Sequence, residues 1–325
     1  MSLNTKKIFI AGSGGVASIS IIKYLLDNYP GVRITATCNR TNPVIINDRI
    51  IYIKTDLLDY NQCRHAAAGC DYAVMAAAVT ASAQVFSLQP DAIISDNLIM
   101  NINMLKAFAA EKIKRVLFVG SATLYQEINT PVAEDELDLN VDPPGPYLGF
   151  GWTTRYLEKL CQHWHNKTGM DFLLTRVSNI YGPYAKFDPQ NSNFIPAIIR
   201  KVNDRAEPLE IWGSPDAARD VIYADDFARA VVLLLSAADI KFDVFNISCG
   251  RPCTVKQIVK AIIECADYRP EEIKYSEAMP VTAGYRAYKN SKIKKAVQWS
   301  PRVTYHEGIQ KTLNWWKENK HIWKK

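Results

Sequence analysis

The stretch Lys7-Ile8-Phe9-Ile10-Ala11-Gly12-Ser13-Gly14-Gly15-Val16-Ala17-Ser18 decides the fold of this chain. Its first residues read as a short buried strand, its glycines as a tight turn, and the apolar spacing that follows as a helix from Val16 to about Tyr29, with Ile19, Ile22, Leu25 and Leu26 on one face. A strand, a glycine turn and a helix in that order aim backbone N–H groups and the positive helix end at one point, which suits a pyrophosphate. The small residues fall as Gly12-x-x-Gly15-x-x-Ser18, so serine stands where a dinucleotide fingerprint has its third glycine. No Gly-Lys-Ser/Thr follows, which excludes a Walker loop. A bare structural turn is the competing reading of the motif.

Working outward, strands are expected at Val32–Cys38, Ile50–Ile53, Cys70–Ala77, Arg115–Val119 and Asp171–Ser178. Between them lie helices at Asp59–Ala67, Pro90–Lys112 and, after the breaker Asp142-Pro-Pro-Gly-Pro146, Phe150–Thr168. Alternation of this kind gives right-handed crossovers and an α/β doubly wound parallel sheet of the Rossmann type. From Tyr181 the pattern loosens, with helices near Ser192–Val202, Ala224–Ala237 and Thr304–Glu318 and a last sheet strand at Asp243–Ile247. The expected division is a dinucleotide-binding part at 1–178 and 221–248, with a smaller interleaved substrate part at 179–220 and 249–325.

Composition excludes several classes of function. With 48% hydrophobic and 22% charged residues, the chain can bury a large core. A net charge of +6 is spread along it, so nucleic-acid binding is not expected. No apolar run reaches membrane length, and Ile8 opens a core strand with no leader before it; a cytoplasmic protein is expected. Seven cysteines without a paired CxxC fit a reducing compartment. No metal site is expected, since His163 and His165, two apart on a helix, point to different sides.

The end of the second strand bears on the cofactor. Where NAD-binding folds place an acid for the ribose 2′-hydroxyl, this chain reads Cys38-Asn39-Arg40. Arg40 is suited to a 2′-phosphate, so NADP is preferred, with NAD as the alternative and a loop arginine as the structural reading.

Further motifs complete a pattern. They are Asp56-Leu57, Ala76-Ala77-Ala78, Asn97, Val119-Gly-Ser121-Ala-Thr-Leu-Tyr125, Asn179-Ile-Tyr-Gly-Pro183, Phe187 to Pro196, Ile211-Trp-Gly-Ser214 and Arg219-Asp220-Val-Ile-Tyr-Ala-Asp225-Asp226. Together with the opening turn they make the chain resemble, over nearly its whole length, the extended short-chain dehydrogenase/reductases that modify nucleotide sugars. Within them it is most similar to the GDP-fucose synthase branch. The resemblance implies that Gly12, Ser13, Gly15, Asn39, Arg40, Asp56, Leu57, Ala76, Ala77, Ala78 and Asn97 surround the dinucleotide. It implies that Arg219 grips the diphosphate of a nucleotide-activated sugar and that Asn193 lies in the substrate loop; Asn179, Lys201 and Trp212 are further substrate-binding candidates, with a loop brace, a solvated helix end and core packing as their respective alternatives. Homodimers that pair through two long helices, here Pro90–Lys112 and Phe150–Thr168, are expected on the same ground.

The family's hydride step uses a tyrosine and, four residues later, a lysine on one helix face. Registered on the helix ending Glu158-Lys159-Leu160-Cys161, those positions hold Phe150 and Thr154. The family serine is present as Ser121, whereas the branch's cysteine and histidine fall on Thr123 and Asn193. Four of five catalytic positions are thus substituted, leaving Ser121, Thr123 and Tyr147 as the candidate catalytic groups. Tyr147 has two readings, a substitute acid or a loop tyrosine packed beside the prolines. Two functions follow: an NADP-binding nucleotide-sugar epimerase/reductase with altered or weak catalysis, or a non-catalytic relative that binds the same ligands as partner of an active enzyme.

Overall fold

The computed structural model describes residues 2–79, 90–189, 192–276 and 284–323. Its centre is a seven-stranded sheet formed by β1 (Lys7–Ala11), β2 (Arg33–Cys38), β3 (Ile50–Lys54), β4 (Tyr72–Met75), β5 (Arg115–Ser121), β6 (Asp171–Val177) and β11 (Phe242–Ile247). The strand order is β11-β6-β5-β4-β1-β2-β3 and every pairing is parallel. This is the Rossmann-type doubly wound sheet expected from the alternation. The order reverses between β1 and β4, and the crevice at that switch point is where such sheets take ligands.

Alternation within β1 builds both faces. Ile8 and Ile10 join one core with Ile21, Ile22 and Leu25 of α1 (Val16–Asn28) and with Phe227, Val231 and Leu235 of α6 (Ala224–Ser236). Phe9 and Ala11 point the other way, toward α2 (Tyr60–Ala67), α3 (Pro90–Ala110) and α4 (Leu148–Thr168), whose Cys63, Met104, Phe108 and Leu157 form the second core. A third cluster gathers the later segments around α5 (Phe194–Asn203), α7 (Val255–Cys265) and α9 (Tyr305–Asn319), with Ile199, Ile258 and Leu313 fully buried. The short strands β7 (Asn179–Tyr181), β8 (Leu209–Trp212), β9 (Ala218–Arg219), β10 (Val221–Tyr223), β12 (Cys253–Thr254), β13 (Ile273–Ser276) and β14 (Tyr285–Arg286) make small sheets, and α8 (Ser291–Val297) precedes α9.

Some boundaries differ from the sequence expectation. β4 stops at Met75, and α4 begins at Leu148 because a 3-10 turn, Gly145–Tyr147, leads straight into it. α3 stops at Ala110 and closes with Lys112 in the left-handed region (φ 56), bonded Lys112 N–H to Ala109 O and Ile113 N–H to Phe108 O. That is a Schellman closure with lysine at the position glycine usually takes. All seven cysteines are free thiols. Among the described residues no helix is long and apolar enough to cross a membrane, and no group of three His, Cys, Asp or Glu could hold a metal ion. His165 instead packs on Phe242, with Nδ1 2.8 Å from Met170 O.

Candidate active site

The opening turn sits at the switch point. Gly12 has φ +77, and a Cβ there would lie 2.9 Å from the Cα and Cβ of Ala77, so both backbone conformation and space require glycine. Its N–H donates to Thr37 Oγ1 (2.9 Å) and that of Ser13 to Thr37 O (2.8 Å), tying the turn to β2. Gly15 caps α1, and a Cβ added to it would meet nothing within 4 Å. No side chain caps this helix end and no acid lies in its first turn, leaving a positive helix end at the crevice. The Ser13 and Ser18 hydroxyl oxygens are buried without a hydrogen-bond partner among the described residues. An anionic ligand with several acceptor oxygens fits such a turn.

Around the crevice, Asn39 and Arg40 are exposed just beyond β2. Asp56 is exposed beyond β3, its Oδ1 accepting from Leu58 N–H at 3.0 Å, while Leu57 is buried. Ala76, Ala77 and Ala78 continue β4 as one wall. Asn97 works behind that wall. It is 3% exposed, its Oδ1 accepts from Val79 N–H (2.9 Å), and its Nδ2 donates to Val79 O (2.9 Å) and Ile93 O (2.6 Å). With both amide atoms engaged there, Asn97 braces the Ala76–Val79 segment.

At the end of β5, Ser121 caps a 3-10 turn, Ala122–Leu124, and its Oγ lies 2.9 Å from Thr123 Oγ1. Two of the expected catalytic hydroxyls are therefore one hydrogen-bonded pair. Phe150 lies in the first turn of α4, and Thr154, 4% exposed, donates its hydroxyl to Phe150 O at 3.0 Å. The Thr154 hydroxyl is thus bonded within its own helix and carries no charge for a ribose. Tyr147 is not in an open loop. It ends the 3-10 turn, is 7% exposed, and its phenol oxygen accepts from Arg286 Nη1 at 3.0 Å. Four residues on, a Cβ at Gly151 would lie 2.6 Å from Pro143 Cγ and 3.0 Å from Thr123 O, so no lysine fits there without displacing that contact.

On the substrate side, pairing of β14 with β9 sets Arg286 beside Arg219. Arg219 donates to Ala218 O (2.9 Å) and Gly284 O (3.3 Å); Arg286 donates to the Tyr288 (3.0 Å) and Tyr147 (3.0 Å) hydroxyls. Neither forms an ion pair among the described residues. Burial, and then the like charge of Arg286, pulls Arg219 below the usual arginine range. Beneath them Asp220 accepts from Cys249 N–H (2.8 Å) and Gly250 N–H (3.0 Å), and burial pushes its carboxyl up to about 6. Lys201 donates to Glu210 O (2.7 Å) and lies 5.7 Å above the Trp212 ring, which is 40% exposed. Asn179 donates to Asp220 O (3.3 Å), bracing β7 against β10, and Asn193 is the exposed N-cap residue of α5, without a capping bond.

Two features escaped the sequence. Arg286 sits in a two-residue strand with no periodicity to mark it. Behind Ser121, Arg176 holds Glu158 through Nε–Oε1 and Nη2–Oε2, both 2.9 Å, and donates to the Tyr125 hydroxyl at 2.9 Å. The Glu158 spacing on α4 was visible, but nothing in the sequence paired it with β6.

Comparison with known proteins places this geometry. Residues 8–248 match the model of the NAD dependent epimerase/dehydratase family. A probable GDP-L-fucose synthase of Oryza sativa subsp. japonica is 25% identical, covering 96% of this chain and 92% of its own. The GDP-L-fucose synthase of Escherichia coli K12 is 22% identical, covering 98% of each. Among solved structures, a UDP-glucose 4-epimerase from Thermotoga maritima, determined with UDP-glucose, superposes with a TM-score of 0.86 at 21% identity, over 97% of this chain and 99% of that one. A Thermus thermophilus UDP-glucose 4-epimerase in complex with NAD gives 0.81 at 20% identity, over 96% and 99%. These structural likenesses carry the fold.

Proposed function

The chain belongs to the NAD dependent epimerase/dehydratase family, and from that premise we propose that it binds a nicotinamide dinucleotide, NADP before NAD, together with a nucleotide-activated sugar, and that it turns the sugar over through altered and weak acid–base groups. The observation that carries the reading is the adjacent pair Arg219 and Arg286, with no carboxylate partner among the described residues. Charges set into a protein are normally paired. A diphosphate supplies the missing negative charge, and planar guanidiniums suit it.

Gly12, Ser13 and Gly15 would hold the dinucleotide pyrophosphate, Arg40 the 2′-phosphate, and the Ala76–Ala78 wall the nicotinamide side. When bound, the nicotinamide gives or takes a hydride. This chain's part is to orient the sugar and hold a proton near it. The hydrogen-bonded Ser121–Thr123 pair supports that role, because either hydroxyl can donate while the other accepts. Tyr147, with its phenol oxygen accepting from Arg286, is the other protic group nearby. Without a lysine ammonium, proton transfer is slow, since one positioned acid–base group contributes about 10²–10⁴ in rate.

The second reading, a binding partner without turnover, draws on the internally bonded Thr154. Relatives of near-equal length that are named as synthases favour the first reading. We read the quaternary state as a homodimer across α3 and α4. Leu148, Trp152 and Tyr156, at i, i+4 and i+8 of α4, are 45%, 41% and 53% exposed, and Ile99 of α3 is 45% exposed.

Titration calorimetry with NADPH, NADH and a panel of GDP-, UDP-, dTDP- and CDP-sugars, with products followed by mass spectrometry, tests the proposal. NADPH is expected to bind more tightly than NADH, and Arg40→Ala to abolish the difference. Arg219→Ala is expected to weaken every nucleotide sugar alike. Absence of binding by all of these ligands refutes the function, and binding without product selects the second reading.

A further inference from the structure

We propose a second anion-binding site, for a small phosphate-bearing molecule, in the cavity at the N-terminal edge of the sheet, at the opposite strand ends from Gly12. Tyr72, Arg115 and Asp171 are the first residues of β4, β5 and β6 and stand in register, and Lys241 immediately precedes β11. They line a cavity of about 480 Å³ together with Lys112 and Lys114. That volume lies within the range of small-molecule sites.

The charge balance decides the kind of ligand. Arg115 and Asp171 pair at 2.8 Å, with Lys241 3.6 Å from the same carboxylate. Four cations therefore share one lining carboxylate. The C-terminal ends of α3 and α4 meet the same cavity, at Ala109 and at Thr168–Gly169. Each contributes about half a negative charge, so the site keeps an excess of about two positive charges. Three carboxylates neighbour the lining in sequence: Asp71 accepts from Lys7 N–H at 2.9 Å, Glu111 pairs with Arg64 at 2.7 Å, and Asp239 is exposed between Ala238 and Lys241.

Two further observations separate this arrangement from solvated helix ends. Arg115, 1% exposed, donates through both Nη atoms to backbone carbonyls between Leu235 and Ile240, yet its buried Nε has no hydrogen-bond partner among the described residues. In addition, the two helix ends are closed differently. Gly169 takes the left-handed position after α4 (φ 71), the low-strain choice, whereas after α3 that position is held by Lys112 (φ 56). Ammonium groups on flexible stems around an apolar floor of Tyr72, Ile113 and Met170 suit a phosphate carried on a small organic body.

The test is titration of the whole chain with inorganic pyrophosphate at low ionic strength, in the wild type and in Arg219→Ala, each with NADPH present to fill the Gly12 turn, so that the substitution removes the remaining competing diphosphate subsite. Pyrophosphate is expected to bind Arg219→Ala with one equivalent per chain, and Lys114→Gln with Lys241→Gln in that background to abolish it. Lys112→Gly, which relieves the left-handed backbone, is expected to raise Tm while weakening pyrophosphate about tenfold, the scale of one lost charge near a protein surface. Absence of binding to Arg219→Ala, or an isotherm unchanged by the lysine substitutions in folded protein, overturns the site. Neither outcome touches the dinucleotide reading, which the NADPH titration reports separately.

Discussion

Restoring the absent proton donor and its partner, Phe150→Tyr with Thr154→Lys, is the sharpest perturbation of the crevice. Phe150 is half-buried, so tyrosine adds one oxygen to a ring already in place. Thr154 is 4% exposed, and lysine there extends a packed position and brings an ammonium with it. Overpacking of this kind costs about 1–3 kcal/mol, and a desolvated ammonium adds roughly as much again. At about 2–4 °C per kcal/mol, Tm is expected to fall by roughly 4–24 °C. NADPH at about 100 times its Kd restores close to 3 kcal/mol, so much of the loss returns on binding. Against that, turnover of a nucleotide sugar is expected to rise by about 10²–10⁴. The assay is thermal unfolding with and without NADPH, followed by mass-spectrometric product analysis. A folded, NADPH-binding double variant with no more turnover than wild type refutes the placement of positions 150 and 154 at the reacting carbon.

Three further outcomes are expected. Burial raises Asp220 from 3.8 to about 6, so its contribution to stability is present below pH 4 and lost as pH rises through 6. Relative to Asp220→Asn, wild-type stability should fall by about 3 kcal/mol between pH 4 and 7, and parallel pH curves would contradict this. Glu158→Ala leaves the Arg176 guanidinium buried without its carboxylate; urea unfolding should show a loss of about 3–5 kcal/mol, and a loss under 1 would mean the pair is screened. Trp152→Glu places a charge in the exposed stripe of α4 and should convert a dimer to monomer in analytical ultracentrifugation, with the far-UV dichroism unchanged. A wild type already monomeric at high concentration would end the homodimer reading.

The sheet was legible because its strands are short apolar runs separated by helices of 3.6-residue period, and both patterns are local. The Gly12 turn was legible for the same reason, although its steric need arises from Ala77, 65 residues on. Where the sequence misled, a non-local partner decided the outcome. Tyr147 reads as a loop residue beside prolines until Arg286 arrives from β14. Asn97 gives no sequence sign of its bonds to Val79, which engage both of its amide atoms. The sequence spacing carries α3 two residues too far because Lys112 stands where a glycine usually marks such closures.

The edge strand β11 has a consequence for synthesis. Among the described residues it pairs only with β6, which ends at Val177, while β11 begins at Phe242. The carbonyls that receive Arg115 lie between Leu235 and Ile240, also late in the chain. At about 5–20 residues per second, β6 waits several seconds on the ribosome with an open hydrogen-bonding edge, beside an arginine not yet bonded to those carbonyls. A nascent chain whose β6 has emerged before residue 242 is made therefore carries six of the seven sheet strands and an edge that still recruits the last.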